Sequence, residues 1–119
     1  VKAQLDSLNN NKANTNHTHG TTLSTTQFAD NFFLTELGNI AIISWWGRSI
    51  NITQTEVWTT LYTLPCTNKG QTVWTNEIIT GDYSFKFRVK QNSSELQYMC
   101  TRPAGTMANI QSGQLIFII

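Results

Sequence analysis

An alternation of apolar and polar side chains in residues 83–90 is the feature that most restricts the fold. The apolar members are Tyr83, Phe85, Phe87 and Val89, and the polar members are Ser84, Lys86, Arg88 and Lys90. Successive side chains of a strand point to opposite faces of a sheet. The stretch therefore predicts an antiparallel strand with one buried face and one solvated face.

Turn-forming residues divide the whole chain after Thr21 into similar short runs, and no helical period is present there. Gly38-Asn39, between two such runs, predicts a hairpin. The predicted strands are 21–28, 32–37, 40–46, 48–53, 57–64, 71–79, 83–89, 95–100 and 114–119. Residues 102–113 are predicted to be a long connection. Eight or nine short strands at a spacing of roughly ten residues predict an antiparallel β-sandwich or a small β-barrel.

The run IAIISWW in residues 40–46 is apolar at nearly every position. Such a run is typical of a strand that is buried on both faces, so it predicts the central strand of the fold. Trp45 and Trp46 are adjacent and must point to opposite faces. A single small sandwich would bury only one of them, whereas a trimer could bury both.

The N-terminal residues have a different period. Val1, Leu5 and Leu8 follow the four-then-three spacing of a coiled-coil seam, and Asn9 begins an Asn run that ends the helix. Because about twelve residues form only a marginal helix alone, we expect three parallel copies, that is, a homotrimer. The sequence thus predicts a trimerisation stub and junction in residues 1–20 and a β head in residues 21–119.

Both histidines lie in the junction, at His17 and His19. An extended segment would point them the same way, but two imidazoles do not complete a metal site. Three chains would supply six, which suits one octahedral iron, nickel or cobalt ion on the three-fold axis. The alternative is that both imidazoles form hydrogen bonds to backbone where helix gives way to strand.

Charge and cysteine spacing exclude several classes. The net charge of +1 with scattered Lys and Arg provides no basic surface for a phosphate backbone, so nucleic acid is not an expected partner. No apolar run approaches the ~20 residues of a membrane-spanning helix, and the N-terminus lacks the shape of a signal peptide. Cys66 and Cys100 have no metal-binding or redox spacing, so we expect two free thiols, with a disulfide as the alternative.

The aromatic and charged residues in turns and loops are candidates for a saccharide site, because such sites set an aromatic face against a sugar and add polar groups for its hydroxyls. Trp74 has the most polar neighbours and is the preferred stacking residue, with Trp46 as a further candidate. Asp82 and Tyr83 lie together at a turn, and Arg102 lies in a loop. The alternatives are core or interface packing for the tryptophans, an Asx turn for Asp82 and a solvated charge for Arg102.

The acidic residues are dispersed over turns and strands, so they do not form the paired carboxylates of a glycosidase. The chain also lacks a nucleophile motif and a phosphate-binding loop. We therefore expect a protein that binds and does not catalyse.

The order of a heptad run, the segment LNNNKANTNHTHG and a short β head resembles the tail-fibre and receptor-binding proteins of tailed bacteriophages. Their fibres often carry a similar K-A-x-x-x-H-T-H junction. The order TLP, an alternating strand, PAGT and a final GQLIFII more loosely resembles the receptor-binding heads of phages of Gram-positive bacteria.

That resemblance implies a host adhesin whose trimeric β head recognises a saccharide of the bacterial envelope. It also implies assembly in the host cytoplasm, a place in the distal tail or baseplate of the virion, and attachment to other phage proteins through the N-terminal side. The alternative function is a structural fibre or baseplate tip with no saccharide ligand.

Overall fold

A computed structural model describes residues 23–119 of the chain. The predictions for the coiled-coil stub and for His17 and His19 lie outside these residues. Within them the chain forms eleven strands and no helix, so none is available to cross a membrane. The strands are β1 (Leu23–Ala29), β2 (Phe32–Leu37), β3 (Ile40–Trp45), β4 (Arg48–Asn51), β5 (Thr59–Thr63), β6 (Val73–Trp74), β7 (Ile78–Thr80), β8 (Tyr83–Val89), β9 (Glu95–Cys100), β10 (Met107–Ile110) and β11 (Gly113–Ile118).

These strands form three antiparallel sheets. The first has four strands in the order β1-β2-β3-β11, and the second has the order β5-β9-β8-β6 with β7 also paired to β8. The third is the short pair β10-β4. In the first sheet, Leu37 pairs with Ile40 across the tight turn at Gly38, which confirms the predicted hairpin.

The two larger sheets pack face to face around one core, which is the arrangement of a β-sandwich. The first sheet supplies Phe32, Leu34, Ala41, Ile43, Trp45, Leu115 and Phe117, and the second supplies Phe85, Phe87, Val89, Leu96, Tyr98 and Cys100. The ring centroid of Trp45 lies 4.7 Å from that of Phe87 and 5.8 Å from that of Phe32. Trp45 therefore contacts both layers. The period-two burial of β8 and β9 agrees with the sequence prediction.

The number of strands is higher than predicted for two reasons. The predicted strand 71–79 is two short strands, because Thr75 interrupts the regular pairing with β8 after Trp74. The backbone N–H of Thr75 donates to the Phe87 carbonyl, but its side-chain hydroxyl accepts the hydrogen bond from the Phe87 N–H. The predicted connection 102–113 contains β10, in which Ala108 and Ile110 are buried against the core. The alternation of exposed and buried residues in β10 covers only four residues, which is too short to predict a strand from the sequence.

Strand β3 is central in its sheet, as predicted, with β2 and β11 on its two sides. The prediction that it is buried on both faces is wrong for the single chain. Ala41, Ile43 and Trp45 are buried, whereas Ile40 and Trp46 are exposed on the opposite side. The reason is that the second sheet covers only one face of the first.

Gly113 provides a test of the Trp45 packing. A Cβ atom at this position would lie 2.5 Å from Cζ2 and 2.9 Å from Cε2 of the Trp45 indole. We expect Gly113→Ala to lower the free energy of unfolding by about 1–3 kcal/mol, because the buried ring has no space to move. Urea unfolding measures the change. Gly70→Ala is the control, since its Cβ would meet its nearest neighbour at 3.5 Å. Equal stability of the two variants would contradict this account.

Candidate functional site

The turn between β7 and β8 and the loop after β9 lie side by side at one end of the second sheet. Thr80 pairs with Tyr83, so Gly81 and Asp82 form a two-residue hairpin turn, and Gly81 adopts the positive φ of 62° that such turns require. Next to it, Thr101 continues the pairing of β9 with β8. Its backbone N–H donates to the Ser84 carbonyl, and its hydroxyl accepts from the Ser84 N–H. This pairing places Arg102 beside the turn.

Three of the predicted saccharide-binding residues meet there. Nη1 of Arg102 lies 3.6 Å from Oδ1 of Asp82, and Cζ of the guanidinium lies 4.8 Å from the centroid of the Tyr83 ring. The Asp82 side chain is 91% exposed and that of Arg102 is 35% exposed. An ion pair so open to water contributes little to stability.

The three residues line a cleft of about 270 Å³, which we call the Arg102 cleft. Its other walls are Thr101, Pro103 and Thr106. A second hollow of about 260 Å³ lies on the other side of the turn, where Glu77 accepts a hydrogen bond of 2.7 Å from the Ser84 hydroxyl. Sequence reasoning did not identify Thr101 or Glu77 as part of this region, because only the pairing of β8 with its neighbours brings them to the turn.

Backbone contacts hold the cleft in place. The hydroxyl of Tyr83 accepts a hydrogen bond from the Asn109 N–H and donates one to the Asn109 carbonyl, at 2.9 and 3.2 Å. Thr55 fixes the loop, because its hydroxyl donates to the Arg102 carbonyl and accepts from the Ala104 N–H. Arg102 and Tyr83 are thus positioned before any ligand arrives, which lowers the entropy cost of binding.

Trp74 lies outside the cleft. It pairs with Arg88, which is five residues from Tyr83 along β8, or about 17 Å at ~3.4 Å per residue. Its side chain is 59% exposed. The guanidinium of Arg88 lies 4.2 Å from the centroid of the half-buried Trp58 ring, and its Nε donates to Gln97. Burial lowers the pKa of Arg88. Arg88 thus links Trp74, its cross-strand partner, to Trp58, and we call these three residues the Trp74 surface.

Trp46 is in a third place. It is exposed just after β3, and its ring centroid lies 5.7 Å from that of Phe33, on the side of the first sheet that points away from the core. The five predicted saccharide-binding residues therefore do not form a single site. Asp82, Tyr83 and Arg102 come together, whereas Trp74 and Trp46 are separate from them and from each other.

Within residues 23–119, no group of three or more His, Cys, Asp or Glu side chains could hold a metal ion. The metal site predicted at His17 and His19 stays a prediction. Cys66 and Cys100 are free thiols, as expected, and the alternative disulfide is not formed. Burial and then the nearby Glu36 raise the pKa of Cys66 to about 11, and burial also raises that of Cys100.

Comparisons with protein-family models, curated proteins and solved structures found no match to this chain.

The pKa of Cys66 predicts slow alkylation of the folded protein. A shift from 9.0 to about 11 reduces the reactive thiolate at pH 8 about 100-fold. We expect iodoacetamide to modify native Cys66 at least that much more slowly than the unfolded chain, with a rate that rises about tenfold per pH unit between pH 8 and pH 10. Peptide mass spectrometry resolves it from Cys100. A rate that levels off below pH 9 would contradict the prediction.

Proposed function

We propose that residues 21–119 are the receptor-binding head of a bacteriophage host adhesin and that the Arg102 cleft binds a saccharide of the bacterial envelope. One observation supports this most directly. A carboxylate, a guanidinium and an aromatic ring from a turn and a separate loop lie within contact distance in one open cleft. These are the groups that hold sugar hydroxyls and the apolar face of a sugar ring.

Each group has a distinct part in the proposed complex. The exposed carboxylate of Asp82 accepts hydrogen bonds from sugar hydroxyls, and the outer N–H groups of Arg102 donate to sugar oxygens. The guanidinium covers one face of the Tyr83 ring. Apolar contact with the sugar therefore comes from the rest of that ring and from Pro103, which also lines the cleft.

A shallow site of this kind binds weakly. Sugar hydroxyls exchange hydrogen bonds with water for hydrogen bonds with protein at little net gain, so we expect a dissociation constant of roughly 10 μM to 1 mM. Several copies on one particle would convert weak binding into firm adhesion through effective concentration. This fits the virion tail or baseplate location that the sequence resemblance implies.

The Trp74 surface is a second candidate for the same function. Trp74 lies on β6, the edge strand of the second sheet, and is 59% exposed. Its cross-strand partner Arg88 places a guanidinium group on the same face. A sugar ring could stack on the indole there. The other alternative, a structural tip without a saccharide ligand, needs neither surface.

Saccharide titrations distinguish these possibilities. The full chain is first screened on an array of bacterial envelope saccharides, and the best binder is then titrated by calorimetry. We expect Asp82→Asn and Arg102→Gln each to weaken binding by about 1–2 kcal/mol, because each removes a charge-assisted hydrogen bond. Asp30→Asn is the matched control, since Asp30 is an exposed carboxylate in another hairpin turn. It should bind like wild type.

Each other outcome has a defined meaning. If Trp74→Ala weakens binding by ~1–2 kcal/mol while both cleft variants bind like wild type, the site is the Trp74 surface and the cleft assignment is wrong. If wild type binds no saccharide on the array, the result supports the alternative that the head is a structural tip. Release of new reducing ends from cell-wall material would overturn the expectation that the protein is not an enzyme.

A further inference from the structure

Among residues 23–119, nothing covers the side of the first sheet that points away from the core. Its outward side chains are uncharged and mostly apolar, and we call it the outer face. Its residues are the outward members of β1, β2, β3 and β11. The cross-strand rows are Leu23-Leu37-Ile40-Ile118, then Thr25-Thr35-Ile42-Ile116, then Gln27-Phe33-Ser44-Gln114. Trp46 extends the third row by its contact with Phe33.

No charged residue occupies any outward position in these rows. Ile116 and Ile118 are each 51% exposed, and Leu23, Leu37 and Ile40 are exposed as well. Thr25 and Thr35 satisfy one another through a hydrogen bond of 3.1 Å between their hydroxyls. The outer face of the second sheet differs, since it carries Lys86 and Arg88. Contiguous exposed apolar surface of this kind marks an interaction site.

We propose that the outer face is the interface through which the heads of several copies of this chain associate. The first reason is the composition of β3. Its run of apolar residues is typical of a strand covered on both sides, and the second sheet covers only one. A partner on the outer face would bury Ile40, Ile42 and Trp46 and would thereby cover the second side of β3.

The second reason is where the chain enters the sheet. The 22 residues that precede Leu23 join the outer face at its first row, the row of Leu23, Leu37, Ile40 and Ile118. If Val1, Leu5 and Leu8 form the predicted coiled-coil seam, the heads of the copies are tethered to one another through the segment that ends at this row. Tethered heads have a high effective concentration, so a modest apolar contact is enough to join them.

A second copy fits the face better than the preceding segment of the same chain. In residues 1–22 the large apolar side chains are Val1, Leu5 and Leu8. They are too few to cover three rows across four strands, which span about 14 Å by ~13 Å. The outward positions carry no charge, so a second copy of the chain meets no charge repulsion at this face.

The first experiment compares the mass of full-chain variants by sedimentation equilibrium. We expect wild type to exceed the 13.4 kDa of one chain at micromolar concentration. Ile116→Lys should raise the concentration for half-association at least about tenfold, because an unpaired ammonium group would be buried. Ile79→Lys is the matched control, since Ile79 is 71% exposed on the other sheet. It should associate like wild type. Circular dichroism confirms that each variant is folded.

The second experiment identifies what covers the face. A thiol introduced by Ile116→Cys is labelled with a maleimide over a range of protein concentrations, and Ile79→Cys is the exposed reference. We expect the thiol at position 116 to be protected at high concentration and to become reactive on dilution. Protection that does not change on dilution, in protein that sediments as a monomer, would mean that residues 1–22 of the same chain cover the face, and this would overturn the proposal.

Two further results would also overturn it. One is that wild type is a monomer and that the thiol of the Ile116→Cys variant is unprotected. The other is an Ile116→Lys oligomer as stable as wild type, which would mean that the N-terminal segment alone joins the chains. The outer face contains none of the residues of the Arg102 cleft. Saccharide binding and association through this face can therefore fail separately.

Discussion

The contact between the two sheets at Trp45 is the interaction on which the rest of the structure depends. The indole packs on Phe32 of its own sheet and on Phe87 of the other, and its Nε1–H donates to the Gln111 carbonyl at 2.9 Å. That hydrogen bond satisfies the polar atom that a buried indole carries into an apolar core. The absence of a side chain at Gly113 leaves space for the ring. One side chain thus joins β3, β8 and the entry to β11.

The same contact determines which surfaces remain for function. Once alternate residues of β3 and β8 point into the core, the residues between them must point outward. On β8 these are polar and charged, as expected for a solvated face, whereas on β3 and its neighbours they are uncharged and mostly apolar. The sandwich is therefore asymmetric, with one face suited to water and one suited to protein. The Arg102 cleft lies at the end of the solvated sheet, away from the apolar face.

This separation fits the proposed adhesin. A head that joined its copies through the outer face of the first sheet would leave its ligand cleft open to solvent. The cleft depends on rigid supports, namely the Tyr83 hydroxyl on Asn109 and the Thr55 hydroxyl on the loop backbone. Saccharide binding releases little free energy, so it could not offset a large entropy cost of ordering a loop. A loop that is already ordered avoids that cost.

The sequence by itself determined the β class, the two-faced character of β8, the hairpin at Gly38 and the central place of β3, because these follow from period two and local turn chemistry. It also suggested Asp82, Tyr83 and Arg102 separately. Only the tertiary structure decided that these three meet and that Trp74 and Trp46 do not join them. The register between β8 and β9 places Arg102 beside Asp82 and Tyr83, and this register depends on contacts between residues far apart in the chain. Likewise, local pattern showed that β3 is apolar on both sides, but only the packing of two layers showed which side is uncovered.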